Sequence, residues 1–338
     1  MVRRIAVLLL AGTAAFAQEV SRDFLNHSRP LVDAHNCYPY DGRWADRIDR
    51  ALGAGYPVAI EQDLAWGIDG ETGKPAAVVA HSAKTSGGEP TLRKYFFERV
   101  RPVVEAALAA NERAHWPIII LHFDFKSNEP ALLRAVWDVL GSYEAWLTTA
   151  VKISDPSELQ PFDRKPLLAI TEDSDAQEEV FFRAVPVGGR LRVFGSAHTR
   201  GLNSTAREQW AHRAATLPPE ALLTEPPTNY RRWWNNSWAE VEEGGQRQAG
   251  EWTPADNERL RALVDRAHRL GYWIRFYTLD GFAPGEDQGW DQNYNFGSPA
   301  AVRLRWNAAI QAGVDLIATD EYEELRDVLK AATVPATQ

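Results

Sequence analysis

Two histidines, three carboxylates, an amide and a lysine recur at short spacings early in this chain: His35-Asn36, Glu61 and Asp63, His81, and Asp124 with Lys126. Glu61 and Asp63 are two residues apart, as are His122, Asp124 and Lys126. On an extended strand each set shares one face. Carboxylate and amide oxygens are the donors that a hard cation such as calcium or magnesium takes. Two histidines near their ordinary pKa can act as base and acid, and a lysine can face a phosphate anion. This donor set suits metal-assisted attack on a phosphoric diester. No cysteine or histidine cluster with zinc spacing competes for the role.

These groups need strand ends that converge. Short β-branched or aromatic runs at 30–34, 57–65, 76–80 and 117–125 end at or near the polar groups, with weaker runs at 167–170, 191–194, 273–278 and 316–319. Runs of helical period lie between most of them: 44–53, 91–110, 129–147, 205–217, 254–270, 300–312 and 322–331. Thr253-Pro254 reads as an N-cap and first-turn pair, and Gly271 as the matching stop. The alternation predicts one α/β barrel with its site at the strand ends, and the chain is long enough to fill it. The rhythm breaks at 218–252, which reads as a Trp-rich insertion packed over the barrel. Its Arg231, Arg232, Trp233 and Trp234 are candidates for a substrate wall, with Arg275 and Tyr277 on one face of a late strand.

Residues 1–17 carry Arg3 and Arg4, an apolar stretch and a small-residue end, the pattern of a secretory signal. Cleavage is expected after Ala17, leaving residues 18–338 as one domain, secreted or periplasmic. The formal charge of −9 becomes more negative still without the leader. That argues against a basic surface for nucleic acid. The expected partner is a phosphodiester or phospholipid, with transient contact at a membrane surface and no protein partner implied. The single cysteine, Cys37, cannot form an internal disulfide. Two other readings stay open: a glycoside hydrolase pairing Glu172 with Asp173 across a sugar, and a catalytically silent barrel that binds a lipid head group.

In order along nearly the whole mature chain, these motifs and the ending Gly313-Val314-Asp315-Leu316-Ile317-Ala318-Thr319-Asp320 resemble the phospholipase C-like phosphodiesterase superfamily. Its branches include calcium-dependent phosphoinositide phospholipases C and glycerophosphodiester phosphodiesterases. The resemblance implies a distorted TIM (β/α)8 barrel. It implies that His35 and His81 act on the phosphate as acid and base, and that Asn36, Glu61, Asp63 and Asp124 hold one divalent cation, calcium ahead of magnesium. Lys126 then matches a phosphate-facing lysine. Two departures bear on substrate. Asn36-Cys37 replaces the Arg-Gly usual in glycerophosphodiesterases, and Asp124 replaces their glutamate, a form closer to spider-type phospholipase D toxins.

Overall fold

The computed structural model describes residues 30–39, 45–202, 207–244, 250–283 and 295–333. The expected leader, residues 1–17, lies outside them. Among the described residues the strands are β1 (Leu31–Ala34), β2 (Val58–Ile68), β3 (Pro75–Val79), β4 (Ile119–Phe125), β5 (Ala150–Val151), β6 (Leu167–Thr171), β7 (Arg190–Leu191), β8 (Phe194–Ser196), β9 (Arg231–Ser237), β10 (Trp273–Tyr277) and β11 (Leu316–Thr319). Eight of them, β1, β2, β4, β6, β8, β9, β10 and β11, pair in parallel. The ring closes because β1 pairs with both β2 and β11. The expected α/β barrel is therefore the fold.

Strand parity explains both cores. Val32, Ile60, Leu121, Ala169, Trp234, Ile274 and Ile317 point outward and pack under the surrounding helices. Their neighbours Leu31, Ala59, Ile120, Leu168, Trp233, Trp273 and Leu316 point inward and fill the barrel floor. One pleat further along, the inward positions turn polar: Asp33, Glu61, His122, Asn235 and Arg275. Beyond them stand His35, Asp63, Asp124, Glu172, Tyr277 and Asp320. The sequence thus stacks an apolar plug beneath a charged mouth at the carboxyl ends of the strands.

The helices end where local chemistry stops them. Thr253 and Asp256 form a reciprocal capping box on Pro254–Leu270, which Gly271 closes at φ 99°. Ser298 caps Pro299–Ala312, and Gly313 ends it at φ 82°. In β8, a Cβ on Gly195 would lie 2.4 Å from the Tyr230 ring, so only glycine lets the two approach.

Two expectations are corrected. The run at 76–80 is no barrel strand: β3 folds back antiparallel on β2, which outruns the barrel, and the hairpin delivers His81 to the mouth. The Trp-rich segment is no insertion packed over the barrel, because Arg231–Ser237 is barrel strand β9. Trp233 fills the floor and Trp234 the outer core, so the aromatic bulk at both parities hid a strand buried on both sides.

Candidate active site

His35 and Asn36 sit just past β1, on a turn where Asn36 takes φ 51°. Asparagine tolerates that left-handed conformation better than most residues. The turn is held from below, where Tyr322 donates to the His35 carbonyl at 2.6 Å and Arg47 to the Asn36 carbonyl at 3.0 Å. Thus fixed, His35 places Nδ1 3.0 Å from Asp320 at the end of β11, and Nε2 3.7 Å from Glu61. Burial works against charge on the imidazole, but Glu61, Asp320 and Asp280 hold its pKa up to about 10.

Asp63 and Asp124 stand directly opposite each other on β2 and β4. With Glu61 they offer ligand oxygens within 4.8 Å of one another. Asp63 is 1 % exposed; its Oδ1 has no hydrogen-bond partner, and its Oδ2 meets the Lys126 ammonium. Burial, with Asp124 and Glu61 nearby, pushes its pKa well up against the pull of Lys126. Three convergent carboxylates, one of them buried with an unpartnered oxygen, fit a divalent cation. Lys126 meets this cluster, its Nζ lying 2.8 Å from Asp63 and 2.7 Å from Asp124. Burial opposes the ammonium, and those two acids raise its pKa nonetheless. Asn36 lines the same cavity but donates its amide to both Asp320 oxygens, at 3.1 and 3.2 Å, and accepts from Tyr38 at 3.0 Å.

His81 approaches from the hairpin. Its ring stacks on Tyr38, with centroids 5.4 Å apart, and Nε2 lies 3.9 Å from Asp63. The side chain is 52 % exposed. Partial burial and Lys126 lower its pKa, so the two histidines are driven apart in opposite directions.

Beneath the mouth runs a ring of polar contacts. Arg275 binds Asp33 through Nε, donates to Asn235 at 2.9 Å, and reaches Glu61 at 3.2 Å. Asn235 donates to Glu172 at 3.0 Å, His122 lies 3.2 Å from the same Glu172 oxygen, and His122 Nδ1 is 3.6 Å from Asp33. Burial opposes charge on Asp33, yet Arg275 and His122 keep its carboxyl well below the usual range.

A cavity of about 210 Å³ is lined by His35, Asn36, Glu61, His81, Asp124, Lys126, Glu172, Asn235, Arg275 and Tyr277. Most expected site residues therefore meet, with Asp63 buried just behind. The exceptions are Arg231, Arg232, Trp233 and Trp234, which form no part of this wall. Arg231 pairs with Asp173 and Glu178, Arg232 bonds Gln160 and Asn229, and both indoles are fully buried. Glu172 and Asp173 face different partners, Glu172 meeting His122 and Asn235 and Asp173 holding His198 at 2.7 Å, so these two do not face each other across the cavity. Asp33, Asn235 and Asp320 went unassigned in the sequence, and Glu172 entered only through the glycoside hydrolase reading. The signal for three of them was position: each lies two residues before a site residue on the same strand face, or at a strand's end.

No protein-family model and no curated relative matches the chain. Among solved structures, a glycerophosphodiester phosphodiesterase from Parabacteroides distasonis is similar at 13% identity and TM-score 0.47, over 90% of this chain and 98% of that one. A calcium-dependent phosphoinositol-specific phospholipase C from Pseudomonas sp. is similar at 13% identity and TM-score 0.44, over 88% and 90%. Plasmodium falciparum HPPK-DHPS is similar at 12% identity and TM-score 0.43, over 90% of this chain and 48% of that one. These distant likenesses span more than one kind of protein, and no residue's role follows from them.

Proposed function

We propose that this chain is a metal-dependent phosphoric diester hydrolase acting on a phospholipid head group or a glycerophosphodiester. The observation that carries the reading is that His35 and His81, with opposite pKa displacements, share one cavity with Glu61, Asp124 and Lys126, and with Asp63 behind them. A divalent cation held by Glu61, Asp63 and Asp124, with calcium the first choice and magnesium the second, would polarise a phosphoryl oxygen. His35, kept charged by Glu61 and Asp320, is the group suited to protonate the leaving alcohol. His81, kept neutral, is suited to take the proton from the attacking hydroxyl or water. Lys126 stands at the cavity to meet the phosphate charge. Export through the leader and contact with a membrane surface belong to the same proposal.

The test is hydrolysis of bis-p-nitrophenyl phosphate and of glycerophospho- and inositol-lipid diesters, with and without chelator. Activity lost on chelation and in a Glu61→Ala, Asp63→Ala double variant is expected. Full activity of that variant ends the metal assignment.

A further inference from the structure

A second cavity, of about 420 Å³, lies outside the barrel between the helices Pro299–Ala312 and Tyr322–Thr333. It shares no lining residue with the mouth cavity. Val302 and Trp306, both fully buried, form its floor, Phe282 flanks them, and Arg303, Glu321 and Glu324 supply its charges. The Trp306 Nε1–H donates to the Leu279 carbonyl at 3.1 Å, so the indole offers the cavity only apolar surface.

One polar group here is half satisfied. Glu321 is 6 % exposed, and its Oε2 accepts from the Gly281 N–H. That approach requires glycine, because a Cβ at Gly281 would lie 2.2 Å from Val302 Cγ1. Oε1 has no hydrogen-bond partner among the described residues, and the side chain lines the cavity. A carboxyl so buried is costly until its second oxygen finds a donor. Arg303 is near enough to favour charge on Glu321, yet no ion pair joins the two. Glu324, exposed at the rim, has no ion-pair partner among the described residues either.

An acid and a base that face one space without touching call for a ligand with two charged ends. An ammonium donates to Oε1, with Glu324 as a second anion nearby. A carboxylate takes the Arg303 guanidinium in a two-point contact. An apolar body between them covers Trp306 and Phe282. A lone anion would meet two carboxylates, and a lone amine would leave the guanidinium facing its charge. We propose that this cavity binds a small zwitterion, an ammonium and a carboxylate on an apolar body the size of an aromatic amino acid, held between Glu321 and Arg303. Such binding is independent of what the mouth cavity hydrolyses.

Isothermal titration calorimetry of the full chain with L-phenylalanine, phenethylamine and 3-phenylpropanoate tests this, since the second lacks the carboxylate and the third the ammonium. Saturable binding of phenylalanine is expected, about 10-fold tighter than that of either analogue. Glu321→Gln keeps an acceptor for the Gly281 N–H and is expected to bind phenylalanine no more tightly than 3-phenylpropanoate. Arg303→Gln, at an exposed position that leaves folding intact, is expected to bind phenylalanine no more tightly than phenethylamine. An analogue that binds the wild-type protein as tightly as phenylalanine overturns the assignment, and so does an unchanged phenylalanine affinity in either variant. Absence of saturable binding by all three compounds up to about 10 mM overturns it as well.

Discussion

Lys126 Nζ stands 2.8 Å from Asp63 Oδ2, so the lysine's own cation rests on a carboxylate that the proposed metal requires. Asp124, on the other side, is 2.7 Å away. Removing the ammonium takes away both a competitor and a repulsive charge. Lys126→Met is expected to bind calcium or terbium about 10-fold more tightly than wild type, as read by terbium luminescence. Its diester hydrolysis is expected to fall even so. Weaker metal binding by the variant would contradict this.

The acid and base assignments predict a pH profile. Under the proposed assignment His35 would act in its charged form, which Glu61 and Asp320 help to keep, and the raised pKa of about 10 would put the basic limb of kcat/KM on the alkaline side. Asp320→Asn removes one anion from the imidazole. The charged form is then lost at lower pH, the basic limb shifts toward acid, and kcat/KM falls by about 10² or more. His81 acts neutral, and its lowered pKa keeps the acidic limb below the ordinary histidine value. A profile whose basic limb stays put in Asp320→Asn would remove His35 from the acid role.

Arg275 is fully buried and neutralises Asp33 and Glu61 at once. Arg275→Met leaves Asp33 buried without its main counter-charge. The expected loss is about 3–5 kcal/mol of unfolding free energy, measured by urea denaturation. Arg275→Lys does not restore it, because one ammonium cannot make the three directed contacts of the guanidinium.

Glu240 is 4 % exposed and one of its oxygens lacks any partner. Burial pushes its pKa up to about 8, with Arg259 and the Ser237 backbone opposing. An acid raised in this way stays protonated in the folded state while the unfolded chain ionises above about 4.5. Its contribution to stability is complete at low pH and is lost as pH rises through about 8. Melting temperature should therefore fall between pH 5 and pH 8 in wild type, and fall less in Glu240→Gln. Parallel curves for the two proteins would show that Glu240 ionises freely.

Much of this arrangement was legible in the chain itself. The period-two spacing of Glu61 with Asp63 and of His122 with Asp124 fixed which side chains share a face. The alternation of strand and helix gave the barrel. The segment around Trp233 and Trp234 was hidden because a strand buried on both faces shows no alternation, and its arginines and asparagines resemble a loop. The roles of Asp33, Glu172, Asn235 and Asp320 depend on contacts between strands far apart in sequence, such as the 285 residues between His35 and Asp320. No local pattern encodes those partners.

The barrel's seam joins β1 to β11, and His35, Asn36 and Arg47 are all tied to groups at or after the end of β11. The earliest part of the centre to leave the ribosome must therefore wait for the last. A nascent chain carries Glu61, Asp63 and Asp124 long before Asp320 and Tyr322 emerge, so the imidazole is oriented only once the last barrel strand has been made.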